Sequence, residues 1–246
     1  MPQTITAACN VYQENNAIHG LLEASMQFFD EVFIFHTGPG GKYSTDGTIE
    51  TVKKWGARLE FGSIDAGFGV VRTEMVRRCR TDWVMILDAD ERFYPTVPMF
   101  DVEGDEHYPV HQNPNLKVIP RGWKDQGEFL RSVMEHPEFD GIRTCRRHWF
   151  DHTWKRPTQN WHQIADWQCR ILKRTGRTGY NSSVRMHEQV VTENMWQHGA
   201  SQKDGPYHDH FHLWYKAQEP EQRQEDIRIY DALHHGRPVP TDGVSA

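Results

Sequence analysis

Two aspartates, Asp88 and Asp90, directly follow an apolar run of the chain. The run Trp83–Leu87 predicts a buried strand, which would deliver both carboxylates to the mouth of a sheet. At strand spacing, side chains two positions apart point the same way, so the two aspartates can share one cation. Paired carboxylate oxygens suit Mg2+ or Mn2+, which usually also take oxygens from substrate phosphates. The alternative is a solvated acidic turn, because Asp is common at the ends of strands.

Three histidines alternate with other residues at His208, His210 and His212. In an extended segment this spacing places the three imidazoles on one face. Imidazole suits Zn2+ better than Mg2+, which allows a dedicated zinc site. The other interpretation is a hydrogen-bonded polar rim around a cleft.

Strand and helix patterns alternate over the first 90 residues. The periodicity predicts strands over 4–11, 32–36, 58–64 and 82–88, with helices over 14–29, 46–55 and 70–79 between them. Asp46 is the expected N-cap of the second helix. This order predicts a parallel sheet with helices on both faces, whose loops after Val11, His36, Ile64 and Leu87 meet in one crevice.

The second half has a different pattern. Helices are expected over 124–136 and 219–234, and strands over 141–150 and 167–173, which we expect to add to the first sheet as antiparallel strands. The predicted organisation is a first half, 1–95, a second half of the same domain, 96–235, and a loose tail, 236–246.

The composition excludes several classes of protein. Lys and Arg number 28 against 34 Asp and Glu, a net charge of −6, which gives no nucleic-acid signature. The mean hydropathy is −0.77, and the apolar runs are too short to insert stably in a membrane. The first Lys or Arg is Lys42, so no secretory signal is expected. Four scattered cysteines, expected to be reduced, favour the cytoplasm.

Three runs at predicted strand ends resemble one known family. They are Val11–Asn15 (VYQEN), Ser44–Glu50 (STDGTIE) and Leu87–Glu91 (LDADE). Their order and spacing resemble family 2 glycosyltransferases of the GT-A fold, in the nucleotide-diphospho-sugar transferase superfamily. A weaker likeness continues in the second half, through Asp166–Leu172 (DWQCRIL), Met186–Glu188 (MHE) and the histidine cluster.

The resemblance implies a GT-A type, Rossmann-like α/β fold and a metal-dependent, inverting glycosyltransferase. In it, 1–95 would bind a nucleotide sugar, UDP-linked by default, and 96–235 would bind the acceptor and carry the catalytic base. Asp90 would ligate Mn2+ or Mg2+ on the diphosphate, and Asp88 would help to hold the ribose and the metal. The residues implied at the nucleotide sugar are Asn10, Val11, Glu14, Asp46, Arg72 and Asp88.

The resemblance also implies a downstream carboxylate that takes the proton of the acceptor hydroxyl. Glu188 is the favoured base and Asp166 the second candidate, whose structural alternative is a salt bridge with Arg170. His210, and then His208, would complete the metal shell, with His212 or His187 as further options. The acceptor stays unnamed.

One stretch departs from the family's pattern. Most members carry an aspartate after the second strand that contacts the nucleobase, whereas residues 36–43 (HTGPGGKY) contain no acid. The base contact would come from His36, from the loop backbone or from neither, which leaves GDP and dTDP as alternatives to UDP.

Three rival functions are open. A haloacid-dehalogenase-type phosphatase would place Thr or Val where Arg92 stands. A metallohydrolase would use the histidine cluster. A non-catalytic sugar-nucleotide or glycan-binding module would keep the fold and lack the base.

Overall fold

The computed structural model describes residues 2–96, 126–148, 166–181, 183, 189–196, 206–210 and 220–239. Strands and helices alternate through the first of these segments, in the predicted order. Its elements are β1 Ile5–Val11, α1 Asn15–Ser25, β2 Glu31–His36, α2 Thr48–Lys54, β3 Arg58–Phe61, α3 Phe68–Arg78, β4 Trp83–Ile86 and β5 Glu91–Arg92.

The second half supplies two helices and six strands to the described part of the chain. Both predicted helices and both predicted strands are confirmed. The elements are α4 Gln126–Met134, β6 Gly141–His148, β7 Asp166–Lys173, β8 Gly179–Tyr180, β9 Val190–Val191, β10 Met195–Trp196, β11 Tyr207–His210 and α5 Pro220–His234. Of the predicted tail, residues 240–246 lie outside the described residues.

Within the described residues, one sheet of nine strands joins the two halves. Its order is β3-β2-β1-β4-β7-β6-β11-β5, with β10 beside β6. The strands β3, β2, β1 and β4 run parallel to one another, whereas β7 is antiparallel to both β4 and β6. A mostly parallel sheet with antiparallel strands added by the second half is the predicted GT-A type, Rossmann-like α/β fold. The two strands β8 and β9 form a separate antiparallel pair.

Alternate side chains of the central strands pack into two apolar cores, one on each face of the sheet. Ile5, Ala7, Cys9 and Val11 of β1 pack with the apolar sides of α1 and α4. Ala8, on the other face, packs with α3 and α5. Strands buried on both faces read as continuous apolar runs, which explains the sequence of β4.

The beginning of α2 differs from the prediction by one residue. Gly47 is the N-cap, with a φ of 94° that favours glycine, and Asp46 precedes it. Oδ1 of Asp46 nevertheless accepts hydrogen bonds from the backbone N–H of Thr48 at 3.0 Å and from its Oγ1 at 2.6 Å. Asp46 therefore satisfies a free N–H at the helix start from outside the N-cap position.

Two expectations drawn from composition can be compared with the structure. All four cysteines lie in the described residues and are free thiols. No helix in the described ranges combines the length and the apolar character that crossing a bilayer requires.

The contact between α1 and β5 predicts an unusual effect of a glycine substitution. A Cβ on Gly20 would lie 1.9 Å from Nη2 of Arg92. Within a helix, Gly→Ala normally stabilises by up to about 1 kcal/mol. Gly20→Ala should instead destabilise by about 1–3 kcal/mol, because Arg92 must be displaced. Urea unfolding measures the change, with Glu23→Ala on the exposed side of α1 as the control. A stabilised Gly20→Ala variant would contradict the packing.

Candidate functional site

The carboxyl ends of β2, β1 and β4 are adjacent in the sheet, as predicted. Asp88 follows β4 at this edge, and two guanidinium groups hold its carboxylate. Nη2 of Arg72, on α3, donates to Oδ1 at 2.5 Å, and Nη2 of Arg170, on β7, donates to Oδ2 at 3.2 Å. The side chain of Asp88 is 35% exposed, so a ligand in the crevice can reach it. The structure therefore brings Arg72 and Asp88 together, with a second arginine that sequence reasoning did not place here.

Glu91 is the buried centre of this network. Its Oε1 accepts a hydrogen bond from Nη2 of Arg170 at 2.6 Å and lies 3.6 Å from Nη1 of Arg146 and 3.5 Å from Nε2 of His208. Its Oε2 accepts the backbone N–H of Asp88 at 3.0 Å. Burial alone would raise the pKa of Glu91, but Arg170 and His208 outweigh burial and hold the pKa well below its usual range. Glu91 is therefore ionised.

Asp90 pairs with a histidine from the second half. Nε2 of His210 lies 3.4 Å from Oδ2 of Asp90, because β11 pairs antiparallel with β5 and places His210 opposite Glu91. Burial lowers the pKa of His210, but the carboxylate of Asp90 outweighs burial and raises the pKa above its ordinary value. This strand pairing joins the Asp88–Glu91 segment to the histidine segment predicted from the sequence.

His208 has a different environment although it lies only two residues from His210. It is fully buried, its Nδ1 is 2.8 Å from Oγ1 of Thr144, and its Nε2 faces Glu91. Burial lowers the pKa of His208 more than the nearby Glu91 raises it. Both histidines reach the 90–91 segment, but only His210 lies beside an aspartate.

The donor set can be compared with the needs of a divalent cation. Within the described ranges, no group of three or more His, Cys, Asp or Glu side chains is close enough to hold a metal ion. Asp90 and His210 offer one carboxylate and one imidazole side by side. Mg2+ commonly binds one or two carboxylates and takes its other oxygens from substrate phosphates and water. The residues present therefore fit a cation that arrives with a phosphate ligand.

The loops after β1 and β2 are joined by hydrogen bonds that use one of the predicted nucleotide residues. The backbone N–H of Asn15 donates to Oδ2 of Asp46 at 2.8 Å, so both oxygens of Asp46 are engaged within the protein. Gln13 has a φ of 54°, rare for a residue other than glycine, and its Oε1 accepts from the N–H groups of Thr45 and Asp46 at 2.9 and 3.2 Å. These contacts fix the crevice rim.

Three other predicted nucleotide residues lie at the end of β1. Oδ1 of Asn10 is buried without a hydrogen-bond partner in the described structure. Val11 is 2% exposed and belongs to the apolar core, and its carbonyl accepts the N–H of Thr37 at 3.0 Å. Glu14 is the N-cap of α1, and its N–H donates to Thr48 Oγ1 at 2.8 Å. Of these three, Asn10 is the one with an unused buried polar atom.

Aromatic side chains surround His36 where β2 ends. The ring centroids of Tyr12, Tyr43 and Phe61 lie 6.0, 6.0 and 5.5 Å from that of His36. Tyr43 and Phe61 are 61% and 43% exposed. Their flat faces suit stacking on a planar ring. Sequence patterns placed His36 and Tyr43 at the end of a strand and in a loop, and Phe61 within the predicted strand 58–64, but did not predict that the rings lie close together.

The side chains of both predicted base residues lie outside what the structure describes. Asp166 is the first residue of β7 and pairs in register with Arg146 of β6; its side chain is outside the description. Glu188, His187 and His212 lie outside the described residues. Arg170, the suggested partner of Asp166, donates hydrogen bonds to Glu91 and Asp88.

Comparisons with known proteins find partial likenesses to solved structures. No family model and no curated protein matches the chain. Among solved structures, S. aureus TarS (residues 1–349) is similar over 94% of this chain and 65% of that one, at 11% identity and a TM-score of 0.48. Glucosyl-3-phosphoglycerate synthase from Mycobacterium tuberculosis is similar over 38% and 36%, at 22% identity and a TM-score of 0.31. This chain thus spans about one to two thirds of those chains, and the fold assignment rests on its own strand order.

The surroundings of His36 predict a contribution to acid sensitivity. His36 is 1% exposed, and its Nε2 accepts the N–H of Ser44 at 3.0 Å. Burial lowers the pKa of His36 despite the opposing effect of its own backbone and of Asp46. The unfolded chain therefore binds this proton more readily, and stability must fall as the pH drops below about 6.5, the ordinary histidine pKa.

His36→Gln keeps an acceptor and removes the titration. Urea unfolding between pH 7.5 and 5.5 should show a smaller loss of stability for this variant than for the wild type. Equal losses in the two proteins would contradict the assignment of a neutral, buried His36.

Proposed function

We propose that this chain is a metal-dependent, inverting glycosyltransferase that moves a sugar from a nucleotide diphosphate to an acceptor hydroxyl. The observation that carries the proposal is the arrangement after β4: an exposed carboxylate, Asp88, held by two arginines, beside the Asp90–His210 pair. This arrangement lies at the carboxyl ends of parallel strands, where ligands of such sheets bind.

The charges of the site suit a diphosphate leaving group. Asp90 and His210 would hold Mn2+ or Mg2+ together with phosphate oxygens. When bound, the cation acts as a Lewis acid that stabilises the negative charge of the departing diphosphate. Arg72, on α3 and already 2.5 Å from Asp88, adds a fixed positive charge at the same edge. Asp88 would orient the ribose and the metal between these groups.

The nucleoside end of the donor would lie along β1 and β2. Asn10 would offer its buried Oδ1, and Tyr43 and Phe61 would offer exposed ring faces to the base. Base–aromatic stacking is worth about 1–3 kcal/mol per base, which makes an acidic base contact unnecessary. His36 would support these rings without contacting the base itself, because Ser44 occupies its Nε2. We propose UDP as the donor nucleotide.

An inverting displacement also requires a base on the acceptor side. Glu188 or Asp166 would take the proton of the acceptor hydroxyl opposite the leaving diphosphate. The distinction from a non-catalytic nucleotide-sugar-binding module depends on this residue, because a binding module would use neither carboxylate.

Metal and nucleotide should stabilise the protein together and not separately. With both Mn2+ and UDP at a hundredfold excess over Kd, about 2.7 kcal/mol of stabilisation is expected, which raises Tm by roughly 5–10 °C for a chain of this size. Asp90→Asn should abolish the joint shift, since it removes a metal ligand. Glu50→Gln, an exposed carboxylate on α2, is the matched control and should keep the shift. A shift with metal alone, unchanged by UDP, would favour a structural or zinc site.

Substitution of the base should separate catalysis from binding. Glu188→Gln should slow UDP release from UDP-sugars, with water as acceptor, by about 10²–10⁴-fold. Asp166→Asn serves as the paired variant, and UDP binding with Mn2+ should persist in both. If both variants keep the wild-type rate, neither residue is the base. If the wild type releases no UDP, the result favours a non-catalytic nucleotide-sugar-binding module.

A further inference from the structure

A buried ion pair lies behind the exposed carboxylate of Asp88. The side chains of Glu91 and Arg170 are 0% and 5% exposed, and Oε1 and Nη2 are 2.6 Å apart. Neither side chain is open to the crevice, so neither can contact a ligand as Asp88 can. The pair comes from β5 and β7, which belong to different halves of the chain.

We propose that Glu91 and Arg170 are positioning residues that hold Asp88 in the geometry needed to bind the nucleotide donor. This inference rests on the proposed function. Asp88 is fixed at three points by the pair. The backbone N–H of Asp88 donates to Oε2 of Glu91 at 3.0 Å, and the carbonyl of Asp88 accepts the N–H of Glu91 at 2.9 Å. Nη2 of Arg170 donates to Oδ2 of Asp88 at 3.2 Å.

One nitrogen makes the connection between the buried pair and the crevice. Nη2 of Arg170 donates both to Glu91 and to Asp88. Arg72 holds the other oxygen of Asp88, so the carboxylate plane is set from two sides. An acidic side chain that is 35% exposed would otherwise sample several rotamers, and sites that bind substrate depend on side chains whose orientation is locked by their neighbours.

A purely structural ion pair would behave differently from a positioning pair. Removing one partner leaves an uncompensated buried charge and destabilises strongly, whereas replacing both by uncharged residues of similar volume is often neutral. Stability can therefore recover in a double variant. The contact from Arg170 to Asp88 cannot recover, since its donor is gone.

The experiment compares Glu91→Gln, Arg170→Met and the double variant by Tm and by calorimetric Kd for UDP with saturating Mn2+. We expect each single variant to lower Tm and the double variant to regain most of the loss. The Kd of the double variant should nevertheless be at least tenfold weaker than that of the wild type. Arg170→Lys keeps the charge without the planar fork and should bind UDP with an intermediate Kd.

The matched control is a second ion pair away from the crevice. Arg58 and Glu31, 15% and 16% exposed, are joined at 3.0 Å between β3 and β2. Glu31→Gln/Arg58→Met should change Tm without changing the Kd for UDP. This control separates a general loss of rigidity from the loss of Asp88 positioning.

Two failures are distinguishable. A stable double variant with the wild-type Kd would overturn the positioning role and leave the proposed function intact. A wild type that binds no UDP in the presence of Mn2+ would overturn the proposed function, and the positioning role with it. Should both single variants fail to fold, the double variant and Arg170→Lys still decide the question.

Discussion

The burial of one ionised carboxylate, that of Glu91, constrains the surrounding structure. An unpaired charge with no solvent exposure costs several kcal/mol, so the fold must bring compensating groups to it. Arg146 and Arg170 bring positive charge to it from two strands, and Nε2 of His208 lies 3.5 Å away on a third. The same requirement ties the second half of the chain to the segment after β4, because both compensating arginines belong to the second half. The segment after β4 and the added strands are thus linked by ion pairs across the two halves.

The two histidines of β11 differ in pKa because their surroundings differ, although the residue type is the same. His208 is buried beside Thr144, and burial lowers its pKa, whereas the carboxylate of Asp90 raises the pKa of His210. Two residues of separation along a strand are enough for this difference, because only one ring reaches an aspartate. A histidine can share a cation with a carboxylate only if the carboxylate lies next to its ring. In the described structure, His210 lies next to the carboxylate of Asp90. The spacing rule alone treated the two rings as equivalent.

Local sequence patterns predicted the strands, the helices and their order. They did not predict which side chains distant in sequence would pair. The apolar runs of β2 and β4 and the helical spacing of α1 are local signals, so their elements and their order followed from the sequence. The partnership of Glu91 and Arg170 spans 79 positions, and no periodicity encodes it. Asp46 was expected to cap a helix, which it nearly does, but its second bond, to Asn15, depends on how two loops meet. The predicted division of labour between the halves and the base at Glu188 stay predictions.

The pairing of β5 with β11 has a consequence for how the molecule forms. Asp209 and His210 face Arg92 and Glu91, so this edge of the sheet closes only after a chain segment of more than a hundred residues has been synthesised and folded back. Contacts of such high sequence separation form slowly, because the chain loses loop-closure entropy before the contacts that compensate for this loss are made. During folding the parallel βαβ region would therefore assemble first, with its acidic loop still unanchored. The contact between Asp90 and His210 would then be among the last to form.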